Sequence, residues 1–166
     1  AKSVLAEVER MEAAGFQFEG ADGSLKLIMY RTETGYIRPF DILHRDVSSQ
    51  RTDGFDPVDS ATVKVKINGK GVVEHHVADG DGPVNALDNA LRKALLPHYP
   101  YLEYTKLVDY KVRVLPGGRG TAKAVRVLVE FSDGKKEWTT VGCSTDLIEA
   151  SLMALSDGFE CAILAR

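Results

Sequence analysis

The chain has 166 residues, 44% of them hydrophobic and 27% charged, with a formal net charge of -3. That length supports one domain with a real core, the composition excludes a disordered chain, and the mild negative charge excludes bulk electrostatic binding of nucleic acid or of an anionic membrane. No apolar run approaches the ~20 residues of a membrane span, no signal-peptide pattern opens the chain, and the two cysteines, Cys143 and Cys161, are too few for a disulfide framework or a zinc site.

A cytoplasmic location is therefore the default expectation. The opening AKSV, without a methionine, fits a segment of a longer chain. Residues 3–14 read as a helix with Val4, Leu5, Val8 and Met11 on one face, Ser3 as its cap and Gly15 as its end. Residues 16–31 fit an extended piece followed by either a short helix or a strand, with Asp22 or Ser24 as a cap. Residues 1–32 together read as a linker or docking segment, too short to bury a core alone.

From Tyr36 the pattern turns to strands. Phe40, Ile42 and Leu43 are the apolar groups of residues 36–47, with Pro39 pushing that segment to a sheet edge. Residues 61–68 alternate, with Val63, Val65 and Ile67 inward and Thr62, Lys64 and Lys66 outward, as a half-buried antiparallel strand does. Asn68-Gly69 predicts a tight hairpin turn, and residues 71–78 return as the partner strand.

Residues 79–100, DGDGPVNALDNALRKALLPHYP, then carry an explicit helix start. Pro83 suits the first helical position, where its missing N–H costs nothing, and Gly82 falls at the N-cap. Val84, Leu87, Leu91, Ala94 and Leu95 make the apolar face; Asp88 and Arg92 form an i,i+4 pair. A Gly-x-Gly-Pro turn offers N–H groups and a positive dipole end, which suit a carboxylate. An ordinary helix cap has the same pattern.

The second half repeats the plan. Val108, Tyr110, Val112 and Val114 alternate with charged residues, PGGRG turns, and Val125, Val127, Val129 and Phe131 alternate again. Asp133-Gly134 matches Asn68-Gly69, residues 135–142 return with Trp138, Thr140 and Val141, and a helix follows from about Asp146 with Glu149 completing a capping box. An offset of 64 places Val77 on Val141, Val84 on Ile148, Ala86 on Ala150, Ala90 on Ala154 and Leu91 on Leu155. The fold class is thus α+β: two tandem βββα units with antiparallel sheets, 36–99 and 103–166, related by a pseudo-two-fold and dimerising to cover the faces each leaves bare. No catalytic constellation emerges. His75 and His76 point to opposite faces of a strand and do not converge on a metal. GGRGT lacks the lysine of a phosphate loop, and Cys143 reads as a small packed residue.

DGDGPVNALDNALRKAL, LVDYKVRVL, GTAKAVRVLVE and WTTVGCSTDLIEASLMAL closely resemble the C-terminal regulatory domain of the 2-isopropylmalate synthase and citramalate synthase family, the citramalate branch most of all. Residues 4–29 also resemble that branch's linker, and the regulatory domain itself is expected over 33–166. The resemblance implies a separate catalytic barrel, which carries a divalent metal and condenses acetyl-CoA with a 2-oxo acid. A barrel of ~250 residues does not fit here, so this chain alone is expected to hold no cofactor, metal or catalytic residue.

The resemblance further implies feedback inhibition of that barrel by a bound end-product amino acid, isoleucine or leucine. The effector-binding positions carried over are Gly80, Asp81, Gly82, Pro83, Val84, Asn85, Leu107, Tyr110, Val114 and Thr121, with residues 142–146 as the pseudo-symmetric loop. The expected partners are the effector, a second copy of the chain and the barrel of the same chain, with no nucleic acid or membrane. A leucine-binding domain of a 2-isopropylmalate synthase and a dimerisation module without effector response are the alternatives. The sequence departs from the family pattern at Cys143 and at Gly158, which reads as an interruption of the last helix.

Overall fold

A computed structural model describes residues 3–165. It contains the two βββα units. After helices α1 (Val4–Ala13) and α2 (Asp22–Thr32) come β1 (Phe40–Gln50), β2 (Val58–Ile67), β3 (Val72–Asp79) and α3 (Pro83–Leu95). Then follow β4 (Lys106–Val114), β5 (Val125–Ser132), β6 (Glu137–Ser144) and α4 (Leu147–Leu164). Each sheet has three antiparallel strands in sequence order, β1-β2-β3 and β4-β5-β6. Among the described residues, no helix is long and apolar enough to cross a membrane.

The chain divides into two compact units, Arg38–Glu103 and the segments on either side of it. In Arg38–Glu103, α3 lies on β2 and β3. Val63, Val65 and Ile67 on the sheet and Leu87, Leu91 and Leu95 on the helix are fully buried between them, each contributing about 1.5–3 kcal/mol by burial. In the other unit α4 lies on β5 and β6 over Val127, Val129 and Phe131.

The offset of 64 holds for the middle strands and the helices but not for the third strands. Val63 pairs with His76, while Val127 pairs with Gly142, 66 residues further on. The second hairpin is longer by two residues and the following turn shorter by two, so the ladder equivalent of Val77 is Cys143 rather than Val141. Both hairpins use four-residue loops, Asn68–Gly71 and Asp133–Lys136, instead of two-residue turns. Of the segment 142–146, residues 142–144 belong to β6.

Residues 16–31 resolve as a bend and a helix. Asp22 and Ser24 do not cap α2, whose N-cap is Ala21. They reach β6 instead, an edge strand, where Asp22 Oδ1 accepts from Thr139 N–H (3.0 Å) and Ser24 Oγ from Val141 N–H (2.9 Å). Two edge donors that would otherwise face water or another strand are thereby satisfied. Phe18, Ala21 and Ile28 bury against Val141, flanked by Val4, Val8 and Met11. Leu5 does not join them and is 65% exposed.

Arg31 Nη2 contacts Asp157 (2.6 Å) and the fully buried Glu160 (2.5 Å), which also accepts from the Tyr36 hydroxyl. Burial and the Glu160 charge raise the Tyr36 hydroxyl above its usual pKa. Residues 3–37 are thus a second layer on the β4-β5-β6 sheet.

Gly158 does not interrupt α4. A Cβ there would meet the Phe131 ring at 1.9 Å. The glycine lets the helix run over that ring, and its carbonyl accepts from Trp138 Nε1 (3.0 Å).

Candidate functional site

The ten positions expected to bind an effector divide between the two units: Gly80 to Asn85 lie in one, and Leu107, Tyr110, Val114 and Thr121 in the other. The first group forms the start of α3. Gly82 is the N-cap at φ +112, ψ 164, a conformation that L side chains rarely adopt, and Pro83 is the first helical residue. Gly80 has a different reason to be glycine, since a Cβ would sit 2.3 Å from Ala86 N, where the first helical turn rests on the strand end.

The turn uses its own donors. Gly80 N–H donates to the Asp59 carbonyl (3.1 Å) and Asp81 N–H to Asn85 Oδ1 (2.9 Å). The Gly82 N–H lies near enough to the Asp59 carboxylate to favour its charged form. Asp59 is buried and further held by Ser49 Oγ (2.6 Å) and by Arg51 through Nη1 (3.1 Å) and Nη2 (3.0 Å). Arg51 and Ser49 keep its carboxyl below the ordinary value, with the Gly82 N–H adding to the effect. The donors left for an outside anion are the N–H groups of Val84 and Asn85, which no helix carbonyl can reach in a first turn and no cap side chain takes. The part played by Asp59 escaped the sequence reading, although strand alternation could have shown it: Asp59 shares its face of β2 with Ala61 and Val63, where an acid needs partners.

On β4, Leu107, Tyr110 and Val114 pair with Phe131, Val129 and Val125, so they lie on the α4 side of their sheet. Since α4 packs on β5 and β6, this strand stays bare: Leu107, Val112 and Val114 are 36%, 42% and 64% exposed. Tyr110 is half-buried, and its hydroxyl meets Ser151 Oγ on α4 at 2.6 Å. Thr121 is exposed in a short 3-10 turn, Gly120–Ala122.

Cys143 is buried against the Ala14 carbonyl, and burial raises its thiol pKa, as expected of a packed residue. His76 and His98 each donate Nε2–H to Glu74, at 2.7 and 2.8 Å, pinning the end of α3 to β3. A groove of about 470 Å³ lies beside Gln17–Gly20 on the other face of β4 and β5. It contains none of the ten positions, and two of its charges, Lys111 and Asp109, pair at 2.9 Å.

Two antiparallel βββα units, one with an uncapped helix start and one with a bare apolar strand, define a small α+β domain. The chain belongs to the LeuA allosteric (dimerisation) domain family, which it matches over residues 19–163. It is 47% identical to an (R)-citramalate synthase of Geobacter sulfurreducens over 95% of this chain and 30% of that protein. It is 43% identical to the (R)-citramalate synthase of Synechocystis over 96% and 29%. A 2-isopropylmalate synthase of Aquifex aeolicus is 34% identical over 77% of this chain and 22% of that protein. The chain thus spans about 30% of the length of the citramalate synthases it matches.

Proposed function

We propose that this chain is the effector-binding and dimerisation domain of a citramalate synthase, a cytoplasmic enzyme that condenses acetyl-CoA with pyruvate, and that its effector is isoleucine. The observation that carries this reading is the match of 95% of the chain to 30% of an (R)-citramalate synthase. The metal and the catalytic groups of such an enzyme belong to its barrel, so the chain is inactive alone.

An amino-acid effector needs a carboxylate site, an ammonium site and an apolar slot. Val84 and Asn85 N–H at the glycine turn, Gly80 to Pro83, suit the carboxylate. Leu107, Tyr110 and Val114, with Thr121 of the Gly120–Ala122 turn, suit the side chain. The bare apolar strip on β4 also supports association with a second copy.

Calorimetric titration of this chain with isoleucine and with leucine tests the reading. Isoleucine is expected to bind roughly ten- to two-hundred-fold more tightly, the discrimination available from one misplaced methyl. Leucine binding as well or better would move the domain to the 2-isopropylmalate synthase branch. Neither binding would leave a dimerisation module without effector response. Light scattering is expected to give a dimer at high micromolar concentration, and a monomer there would remove the association half of the proposal.

A further inference from the structure

One polar pair ties β4 to α4. The Tyr110 hydroxyl lies 2.6 Å from Ser151 Oγ, and Ser151 Oγ lies 2.7 Å from the Leu147 carbonyl oxygen. Ser151 is fully buried. A serine hydroxyl has one proton and a carbonyl only accepts, so that proton goes to Leu147. The Tyr110 O–H is therefore the donor of the other bond. With its own proton turned inward, the phenol oxygen offers lone pairs alone on its remaining side.

The other copy of the motif shows that packing does not ask for this pair. Tyr110 pairs with Val129 as Ile42 pairs with Val65, and Ser151 falls on Leu87 at the same offset of 64. Two apolar residues thus stand where this unit has a hydrogen-bonded pair. The pair puts one oriented acceptor on the α4 side of β4, beside the exposed Leu107, Val112 and Val114. An aliphatic strip with a single acceptor suits a ligand that carries an aliphatic group and a donor. An ammonium group is such a donor, and its bond to a neutral oxygen is charge-assisted. An oxo group in its place brings a second acceptor and no proton.

We propose that Ser151 is a positioning residue: by taking the phenol proton it presents Tyr110 Oη as an acceptor to the ammonium of the bound amino acid, and the domain thereby selects the amino acid over the 2-oxo acid of the same skeleton. The proposal rests on the effector reading above and adds to it the acceptor and the residue that orients it. Asp81, exposed on the glycine turn, is the competitor for the ammonium.

The test titrates isoleucine against 3-methyl-2-oxopentanoate, which has the same side chain and carboxylate but an oxo group for the ammonium. Tyr110→Phe keeps the ring. It is expected to weaken isoleucine roughly tenfold to a hundredfold, as loss of a hydrogen bond to a charged group does, and to leave the oxo acid within about threefold. Ser151→Ala frees the phenol proton to turn outward, so it is expected to weaken isoleucine and to tighten the oxo acid, opposite signs that a packing defect does not produce. Added to Tyr110→Phe, it is expected to change neither ligand further. Equal losses for both ligands would make the pair merely structural. Additive losses in the double variant would show Ser151 acting apart from Tyr110, and a selective loss of isoleucine in Asp81→Asn with none in Tyr110→Phe would give the ammonium to Asp81; either overturns the proposal. A measurement on the unaltered chain covers variants that do not fold: the Tyr110 Cζ ¹³C resonance is expected to shift with saturating isoleucine and not with the oxo acid, and the same response to both rejects the assignment. Should leucine be the tighter ligand, leucine and 4-methyl-2-oxopentanoate form the pair. Failure of the unaltered chain to bind isoleucine or leucine at all is a separate result, and it rejects the effector reading itself.

Discussion

α3 and α4 begin at equivalent places in two copies of one motif, and they are closed differently. Asp146 caps α4 with its own side chain, accepting from Ile148 N–H (2.8 Å) and Glu149 N–H (3.3 Å). α3 has glycine at the cap and no capping side chain; the Asp59 carboxylate close by is held by Ser49 and Arg51 instead. The sheets differ as well, since β4-β5-β6 carries α1 and α2 as a further layer. One copy is built for stability at its helix start, and the other keeps donors in reserve there. A duplicated motif thus divides its labour through two residues in a turn.

The largest effect is expected from the layer that only one copy has. Arg31→Ala would leave the fully buried Glu160 without its cation, at a cost of about 3 kcal/mol, since removing one partner strands a buried charge. Urea denaturation of the variant measures it. A change under about 1 kcal/mol would mean that the layer is held by its apolar contacts alone.

Next comes the glycine on which each helix rests. A Cβ at Gly142 would lie 1.9 Å from the Ala150 carbonyl oxygen, and one at Gly80 would lie 2.3 Å from Ala86 N. Gly142→Ala is expected to cost about 2–3 kcal/mol and Gly80→Ala less, because Gly80 sits in a turn that can shift and Gly142 in a paired strand. Thermal melts in the reverse order would show that the turn at Gly80 is the more rigid of the two.

The caps themselves give a smaller pair. Asp146→Ala is expected to cost about 1 kcal/mol. At Gly82 no side chain can be introduced without strain of about 1–3 kcal/mol, so Gly82→Ser does not convert the α3 start into a copy of the α4 start. If Gly82→Ser raised the melting temperature, the open start would be an accident of sequence.

The smallest effect concerns pH. Asp59 and Glu74, both in Arg38–Glu103, have carboxyls held below the ordinary value, Asp59 by Arg51 and Ser49, Glu74 by His76 and His98. A lowered folded pKa contributes stability above the unfolded value, near pH 4, that is lost as pH falls through the folded one. Protection of the Gly80 amide, which donates to the Asp59 carbonyl, is therefore expected to fall, relative to its intrinsic exchange rate, below about pH 4, and an amide still fully protected at about pH 3 would place the hold on this turn elsewhere.

Most of the fold was legible because it is local. Val63, Val65 and Ile67 announce their strand by alternation, and Pro83 announces its helix. What escaped depends on partners far along the chain. Gly158 reads as a helix breaker until Phe131 is known to lie beneath it. Asp22 and Ser24 read as caps until β6 is known to be an edge beside them. The effector positions came from resemblance, and the turn at Gly80–Gly82 could be read as a set of donors, but not that Asp59, some twenty residues earlier, takes one of them.

The division of the chain also orders its assembly in time. Arg38–Glu103 is continuous and can close as soon as its last helix has been made. The other unit cannot: Arg31 waits 129 residues for Glu160, and Ser24 waits 117 for Val141. During synthesis from the N-terminus, Phe18 and Ile28 stay uncovered while an entire neighbouring unit is completed, so the earliest residues made are among the last to be buried.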